Sequence, residues 1–415
     1  MNYKYPFVVL AVYMCTACIG LAQRHHLVSN RIASLQVVAN GDWLSLPIMK
    51  IGESTLDIDF DDLTHTYHRY VYKIEHCNAD WSVSTDVFES DYIEGFADGN
   101  TIDDVTESLN TNQLYTHYHL QLPNSRCNIK MSGNYKLTVY DDNIDQIMFE
   151  AFFMVVEPIM GVKTEVSTNT DIDINKKHQQ VGFEIGYGSL TVTDPVQQIH
   201  TVVLQNQRWD NACINAKPQY FMQNGLKWDH NKALIFEAGN EYRKFEILDT
   251  NHPTMGIDRI DWDGTNFHAY LFPDMPRPNY VYDEDANGAF YIRNSDNIDN
   301  NTQSDYLLVH FQLFSEQPFN GDLYVNGAWT NDSFLPKYKL SYDEVSRSYK
   351  AVISLKQGYY SYQYLLKQSN GEMVPVPTEG SFYQTENTYQ VLVYYRELGG
   401  RTDRLVGYQQ VKLSI

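Results

Sequence analysis

The run "LDIDFDD", residues 56–62, alternates with period two: Leu56, Ile58 and Phe60 are apolar, and Asp57, Asp59 and Asp61 fill the gaps. Successive side chains of a strand point to opposite faces, so this pattern predicts a half-buried β-strand. Tyr118, Leu120 and Leu122 repeat it around His119 and Gln121, and Tyr135, Leu137 and Val139 repeat it before the turn "DDNID" at 141–145. Gly, Asn, Asp and Pro separate such segments at short intervals, and no long stretch carries a helical period. The expected class is all-β, with Ig-like or fibronectin-like antiparallel β-sandwiches in tandem.

At 415 residues the chain is long for one core, since single cores stop growing at roughly 250–300 residues. The pattern suggests a leader at 1–22, an N-terminal β-sandwich at 23–157, a middle β-domain at 158–302 and a C-terminal Ig-like sandwich at 303–415. Pro158 ends the strand at 149–156, and the polar "NSDNIDNNTQSD" (294–305) reads as a flexible linker. In the last block Tyr349, Ala351, Ile353 and Leu355 share one face, and Tyr360, Tyr362, Tyr364 and Leu366 share another across a Lys-Gln-Gly turn.

A formal net charge of −21 argues against nucleic acid, because no basic stripe exists to displace counterions from phosphates. It also disfavours adsorption to anionic lipid. The 32 Tyr, 19 Phe and 6 Trp suit sheets, where broad rings cover neighbouring strands. At the N-terminus Lys4 precedes an apolar run from Pro6 to Met14 and small residues up to Ala22, the pattern of a cleavable secretory signal. Lipidation at Cys18 is disfavoured by Cys15, which stands where a large aliphatic residue is usual. No later stretch is long and apolar enough for a transmembrane helix, so an exported, soluble protein is expected. Cys77, Cys127 and Cys213 remain, an odd number that allows at most one disulfide. Cys77 with Cys127 is the pair to test, against three free buried thiols.

The stretch "KIEHCNADWSVSTDVFESDYIEGF" (73–96) gathers a His, a Cys and several carboxylates. Strand alternation puts His76 on the face of Tyr70, Tyr72 and Ile74 and turns Cys77 to the other, so the two cannot converge on one atom. His65 with His68, and His117 with His119, have ligand-like spacing but no acidic or thiol partner at a recognisable offset. The acidic loops 141–145 and 296–305 lack the order of a calcium loop and read as turns. No catalytic, metal or cofactor site is therefore assigned. "GDLYVNGAWTND" (321–332), followed by "YKAVISLKQGYYSYQYLL" (349–366), resembles the sandwich of starch- and glycogen-binding modules. That resemblance makes Trp329 a candidate sugar platform and gives an alternative reading, an exported carbohydrate-binding protein.

The longest motifs are "YKIEHCNADWSVS" (72–84), "SDYIEGF" (90–96), "YTHYHLQLPN" (115–124), "MSGNYKLTVYDDN" (131–143) and "FMVVEP" (153–158). Others are "VVLQNQRWDNA" (202–212), "GNEYRKFEI" (239–247), "LKQGYYSYQYLL" (355–366) and "EGSFYQTENTYQVLVYYRELGGRTDRLVGY" (379–408). Together they resemble the plug protein of the type IX secretion system of Bacteroidetes, from about residue 30 to residue 408. The resemblance implies a periplasmic protein without enzymatic activity. It also implies that the protein binds the large outer-membrane translocon β-barrel and closes its periplasmic opening. No family motif marks contact residues one by one. The candidate partner anchors are the aromatics of the shared motifs, Trp81, Tyr92, Phe96 and Trp209, because aromatic side chains dominate interface energetics.

Overall fold

The computed structural model describes residues 24–413, and the leader at 1–22, including Cys18, lies outside them. The described residues are nearly all β, in six sheets, and the helices among them are single turns. Leu56–Asp62 pairs with Ile32–Ala39 on one side and Thr116–Leu122 on the other. Its alternation works as expected on one face, where Leu56, Ile58 and Phe60 are fully buried among Tyr70, Tyr118 and Phe149. This four-stranded sheet packs on one half of a ten-stranded sheet, whose order there is Gln146–Val156, Gly133–Asp141, Tyr70–Cys77 and Asn100–Thr101. The core of this first sandwich is drawn entirely from residues 32–155.

The other half of the ten-stranded sheet is built from distant segments. Its order is Arg208–Ile214, Ile199–Gln205, Thr388–Tyr395 and Arg404–Lys412, and the last joins the first half through a parallel pairing of Leu405 with Val156. Gly161–Ser167 and His178–Gly186 belong to the sheet that packs across from it, around Phe183, Trp228, Val203, Val391 and Val406. The expected cut between 158–302 and 303–415 therefore fails. The hairpin Thr388–Lys412 completes the middle sandwich.

In exchange, Arg243–Ile247, Ile257–Trp262, Phe267–Leu271 and Phe290–Ile292 belong to the third sandwich, where Phe245, Ile257 and Leu271 pack against Val309, Phe311 and Tyr362. Ser348–Lys356 and Gly358–Lys367 do not pair with each other. They lie in different sheets of this sandwich, so the Lys-Gln-Gly turn crosses between layers, and both aromatic faces meet in one core. Period-two patterning finds strands, but the choice of partner across some 190 residues leaves no trace in local alternation.

The acidic face of Leu56–Asp62 is not open to water throughout. Asp61 is buried where the first sandwich meets the third, and Lys356 Nζ donates to its Oδ2 at 2.6 Å, with both side chains 1% exposed. Tyr306 Oη donates to Asp61 at 2.7 Å, and Lys356 Nζ also donates to the Asn301 carbonyl at 2.6 Å. The ammonium lies 4.1 Å from the centre of the Tyr115 ring. His117 bridges Asp61 (2.8 Å) and Asp59 (3.2 Å), and His119 Nδ1 lies 2.9 Å from Asp59. These imidazoles are thus occupied by carboxylates on the neighbouring strand, and among the described residues no His/Cys/Asp/Glu group is placed to hold a metal ion. Segment 294–305 is no free linker: Asn300–Gln303 forms a helical turn, Leu109 N–H donates to the Thr302 carbonyl, and Asn112 N–H donates to Asp305.

Burial opposes ionisation of Asp59, but the His117 and His119 imidazoles outweigh it and hold this carboxyl down at about 2. Burial likewise disfavours protonated His117, yet Asp59 and Asp61 raise its pKa above 6.5. Burial drags Lys356 down while Asp61 opposes the fall, and Lys356 and His117 hold Asp61 ionised against its own burial.

Cys77 and Cys127 are buried, Cys213 is half-buried, and all three are free thiols. Burial pushes the Cys77 thiol up to about 12 and Cys127 to about 11. Both should resist alkylation in the native protein at mildly alkaline pH, with Cys213 labelling first, as read by peptide mass spectrometry. Fast labelling of Cys77 would contradict this assignment.

Two stability outcomes follow from the junction. Lys356→Met strands a buried carboxylate and is expected to cost roughly 3–5 kcal/mol in urea unfolding, while adding Asp61→Leu should restore much of it. The Asp59 contribution is present above 3.8 and is lost as pH falls from there towards about 2. The His117 contribution is fully present below 6.5 and is lost as pH rises through its raised folded value. The stability difference between wild type and His117→Asn should therefore be largest between those limits and shrink on both sides.

Candidate functional site

The turn that follows Tyr70–Cys77 carries the most distinctive motif of the chain. Trp81 N–H donates to the Asn78 carbonyl at 2.9 Å and Asn78 N–H to the Ser82 carbonyl at 2.8 Å, closing a tight turn. Asp80 Oδ1 accepts from Ser82 N–H at 3.0 Å, a local bond that favours turn geometry. The turn places Trp81 at φ 66°, a left-handed conformation that is uncommon for a bulky residue.

This turn docks on the C-terminal motif some 320 residues away. Arg396 binds Asp403 through Nε (2.8 Å) and Nη2 (3.0 Å), and the same Nη2 reaches Asn78 Oδ1 at 2.9 Å. Asp403 Oδ2 accepts from Ala79 N–H at 2.9 Å, and Thr402 Oγ1 donates to Asn78 Oδ1 at 3.0 Å. Asn134 Nδ2 donates to the Asn78 carbonyl at 2.9 Å, and Tyr394 Oη donates to Asn134 Oδ1 at 2.9 Å. Two motifs that are remote in sequence therefore form one hydrogen-bonded unit.

His76 and Cys77 separate as strand geometry requires. His76 is buried against Tyr92 and Tyr135. Its Nε2 lies 3.1 Å from the Ser132 carbonyl, so that nitrogen donates, and Nδ1 accepts from Ser84 Oγ at 3.0 Å. Burial lowers the His76 pKa and keeps the ring neutral. A Cβ on Gly133 would stand 2.3 Å from Nε2, so glycine is what lets this imidazole fit. Ser84 is buried and also contacts Thr402 Oγ1 at 2.7 Å. A Ser–His contact closed on every side and backed by a carbonyl instead of a carboxylate holds the turn in place.

Trp81 forms part of a pocket of about 130 Å³ at the meeting of the three sandwiches. Its ring stands edge-on to Trp209 (5.6 Å, 82°) and to Phe152 (5.8 Å, 89°). Trp43, also in the lining, packs on Tyr291 at 5.5 Å. Asn206, Gln207, Asn287, Asn331 and Asp332 also line the pocket, and all have positive φ, between 46° and 63°. Arg208 and Asp210 form a two-pronged ion pair at 3.1 and 2.5 Å. Burial would weaken both charges, yet each stabilises the other, raising the Arg208 pKa and lowering that of Asp210. Burial, with the Asp210 charge behind it, raises Asp332, whose carboxylate accepts from Asn326 Nδ2 at 2.5 Å. Among the described residues the Trp81 indole N–H is buried without a partner. The lining offers aromatic faces and amides but no nucleophile paired with a base.

The candidate anchors thus fall into different environments. Phe96 is 68% exposed at the surface of the first sandwich. Trp81 and Trp209 are half-buried and touch each other, a pairing that sequence gave no means of finding. Tyr92 is a correction: it sits in the core, with its hydroxyl donating to the Ile74 carbonyl. Trp329 is a second correction. Its ring packs among Phe311, Tyr338 and Tyr360, its indole N–H donates to the Ser361 carbonyl at 3.1 Å, and no flat face is left for a sugar. The alternation of Tyr360 and Tyr362 signalled that core, because a wide aromatic face needs a facing ring.

Comparison with known proteins supplies the family. Residues 32–157 match the model of the first domain of the type 9 secretion system plug protein. The crystal structure of a hypothetical protein from Parabacteroides merdae is 39% identical, covers 94% of this chain and 99% of its own, and superposes with a TM-score of 0.90. The C-terminal domain of an antigen I/II-family protein from Streptococcus pyogenes aligns over 92% of this chain and 100% of its own at 8% identity, with a TM-score of 0.17. That value carries no structural argument. No curated protein matches. The matched domain coincides with the first sandwich and contains the 76–84 turn, and the chain belongs to the type 9 secretion system plug protein family.

Proposed function

We propose that the chain is a non-enzymatic, periplasmic plug that binds the periplasmic side of the outer-membrane translocon barrel of the type 9 secretion system and occludes its pore. The family match over residues 32–157 carries this reading. Three features support it. A steric plug must resist deformation, and this chain ties its three sandwiches together by a shared ten-stranded sheet and by the Asp61–Lys356 pair. Among the described residues no helix is long and apolar enough to cross a membrane. Its acidic surface would allow a charge-steered, reversible encounter with a complementary rim.

Of the candidate anchors, Phe96 has the exposure an interface residue needs, and Phe88 on the same sandwich is 73% exposed. The sugar-binding alternative has lost its platform with Trp329 buried in the core. Affinity purification of the tagged chain from envelope extracts in mild detergent should recover the translocon barrel. Phe96→Ala is expected to weaken recovery by about tenfold, in the range of an interface aromatic, without lowering thermal stability. If the barrel is absent while soluble glucans retard the chain in native gels, the plug reading fails.

A further inference from the structure

Three strands that pair on one side only, among the described residues, border one groove of about 440 Å³ between the middle and third sandwiches. Arg208–Ile214 is the terminal strand of the ten-stranded sheet and pairs only with Ile199–Gln205 among the described residues. Among the described residues Ile235–Glu237 pairs on one side, with His178–Gln180, and its Glu237 carbonyl accepts from Gln205 Nε2 at 3.0 Å, while Met373–Pro375 pairs on one side, with Leu365–Lys367. An unpaired edge presents a row of backbone donors and acceptors, which natural proteins usually cover, twist away or block. Here the edges from two sandwiches face a common groove.

Its chemistry suits one kind of occupant. Ala212, Ile214, Ile235 and Val374 supply an apolar lining. Among the described residues Asn211 Oδ1 is buried without a hydrogen-bond partner, and Asn211 Nδ2 donates to Gln205 Oε1 at 3.1 Å, which leaves the oxygen as a free acceptor in the groove wall. Arg208, the one cation in the lining, is consumed by Asp210. Glu237 and Glu372 are exposed there, and neither forms an ion pair among the described residues. The uncompensated charge of the groove is negative.

We infer that this groove binds an extended polypeptide segment with alternating apolar residues and Lys or Arg flanks, contributed by the translocon and held by β-strand addition. The backbone of the segment would pair with an open edge, one of its N–H groups would satisfy Asn211 Oδ1, and its basic flanks would meet Glu237 and Glu372. Main-chain pairing supplies affinity in this mode, and pockets for alternate side chains supply selectivity. The inference rests on the plug reading and names the contact that reading leaves open.

The test uses the full chain in envelope extracts. A benzophenone amino acid at position 214, where the native Ile214 is 59% exposed, should crosslink to a Lys/Arg-flanked segment of the barrel, mapped by mass spectrometry. Glu237→Lys with Glu372→Lys should reduce barrel recovery by about tenfold while leaving the melting temperature unchanged, since both side chains are exposed and neither forms an ion pair among the described residues. Barrel recovery by wild type with no crosslink from position 214, or with binding unaffected by the double charge reversal, overturns the groove and leaves the plug reading standing. If wild type recovers no barrel, both fall.

Discussion

The fold depends on one clasp. Asn78 and Ala79, in a turn fixed early in the chain, are held by Arg396, Thr402 and Asp403 near its end. Asp403 is almost fully buried, so its charge requires the bidentate Arg396 and the Ala79 amide. Arg396 is 38% exposed and Asp403 5%, so losing the arginine would leave a buried carboxylate held by the Ala79 amide, whereas losing the aspartate would leave a guanidinium that water reaches. The hairpin Thr388–Lys412 that carries these residues also fills the centre of the ten-stranded sheet. The first and middle sandwiches therefore share a sheet whose continuity requires the chain to return from the third.

That return explains which parts of the structure were legible in the sequence. The period-two faces of Leu56–Phe60, Tyr118–Leu122 and Tyr360–Tyr364 reported strands and cores correctly, because burial acts residue by residue. His76 and Cys77 could be separated for the same reason. Asp61 looked like any residue of a solvated acidic face, and its partner Lys356 lies 295 positions away. Nothing local distinguishes a carboxylate that faces water from one that meets a buried ammonium. Trp329 followed the same logic in reverse: a motif on a loop suggested a binding ring, and a third-dimension contact to Ser361 made it core. The cut between 158–302 and 303–415 failed because the partner of Ile199–Gln205 is Thr388–Tyr395, a choice made by topology.

The candidate site was legible only in outline. Trp81 and Trp209 could be singled out as aromatics within long shared motifs, but their edge-on contact, and the cluster of left-handed residues around them, exist only in three dimensions. Strain of this kind persists where surrounding structure over-determines it. Here the surroundings are the three sandwiches themselves, and the pocket marks the point where they are forced into one arrangement. A body interlocked in this way is suited to a steric task, since occlusion asks for shape and stiffness and needs no reacting group.

The proposed occlusion is tested most directly by ionic conductance. The purified translocon barrel in a planar bilayer should conduct when the chain is absent and close when the chain is added on the periplasmic side. Conductance that persists with the chain demonstrably bound would contradict the account.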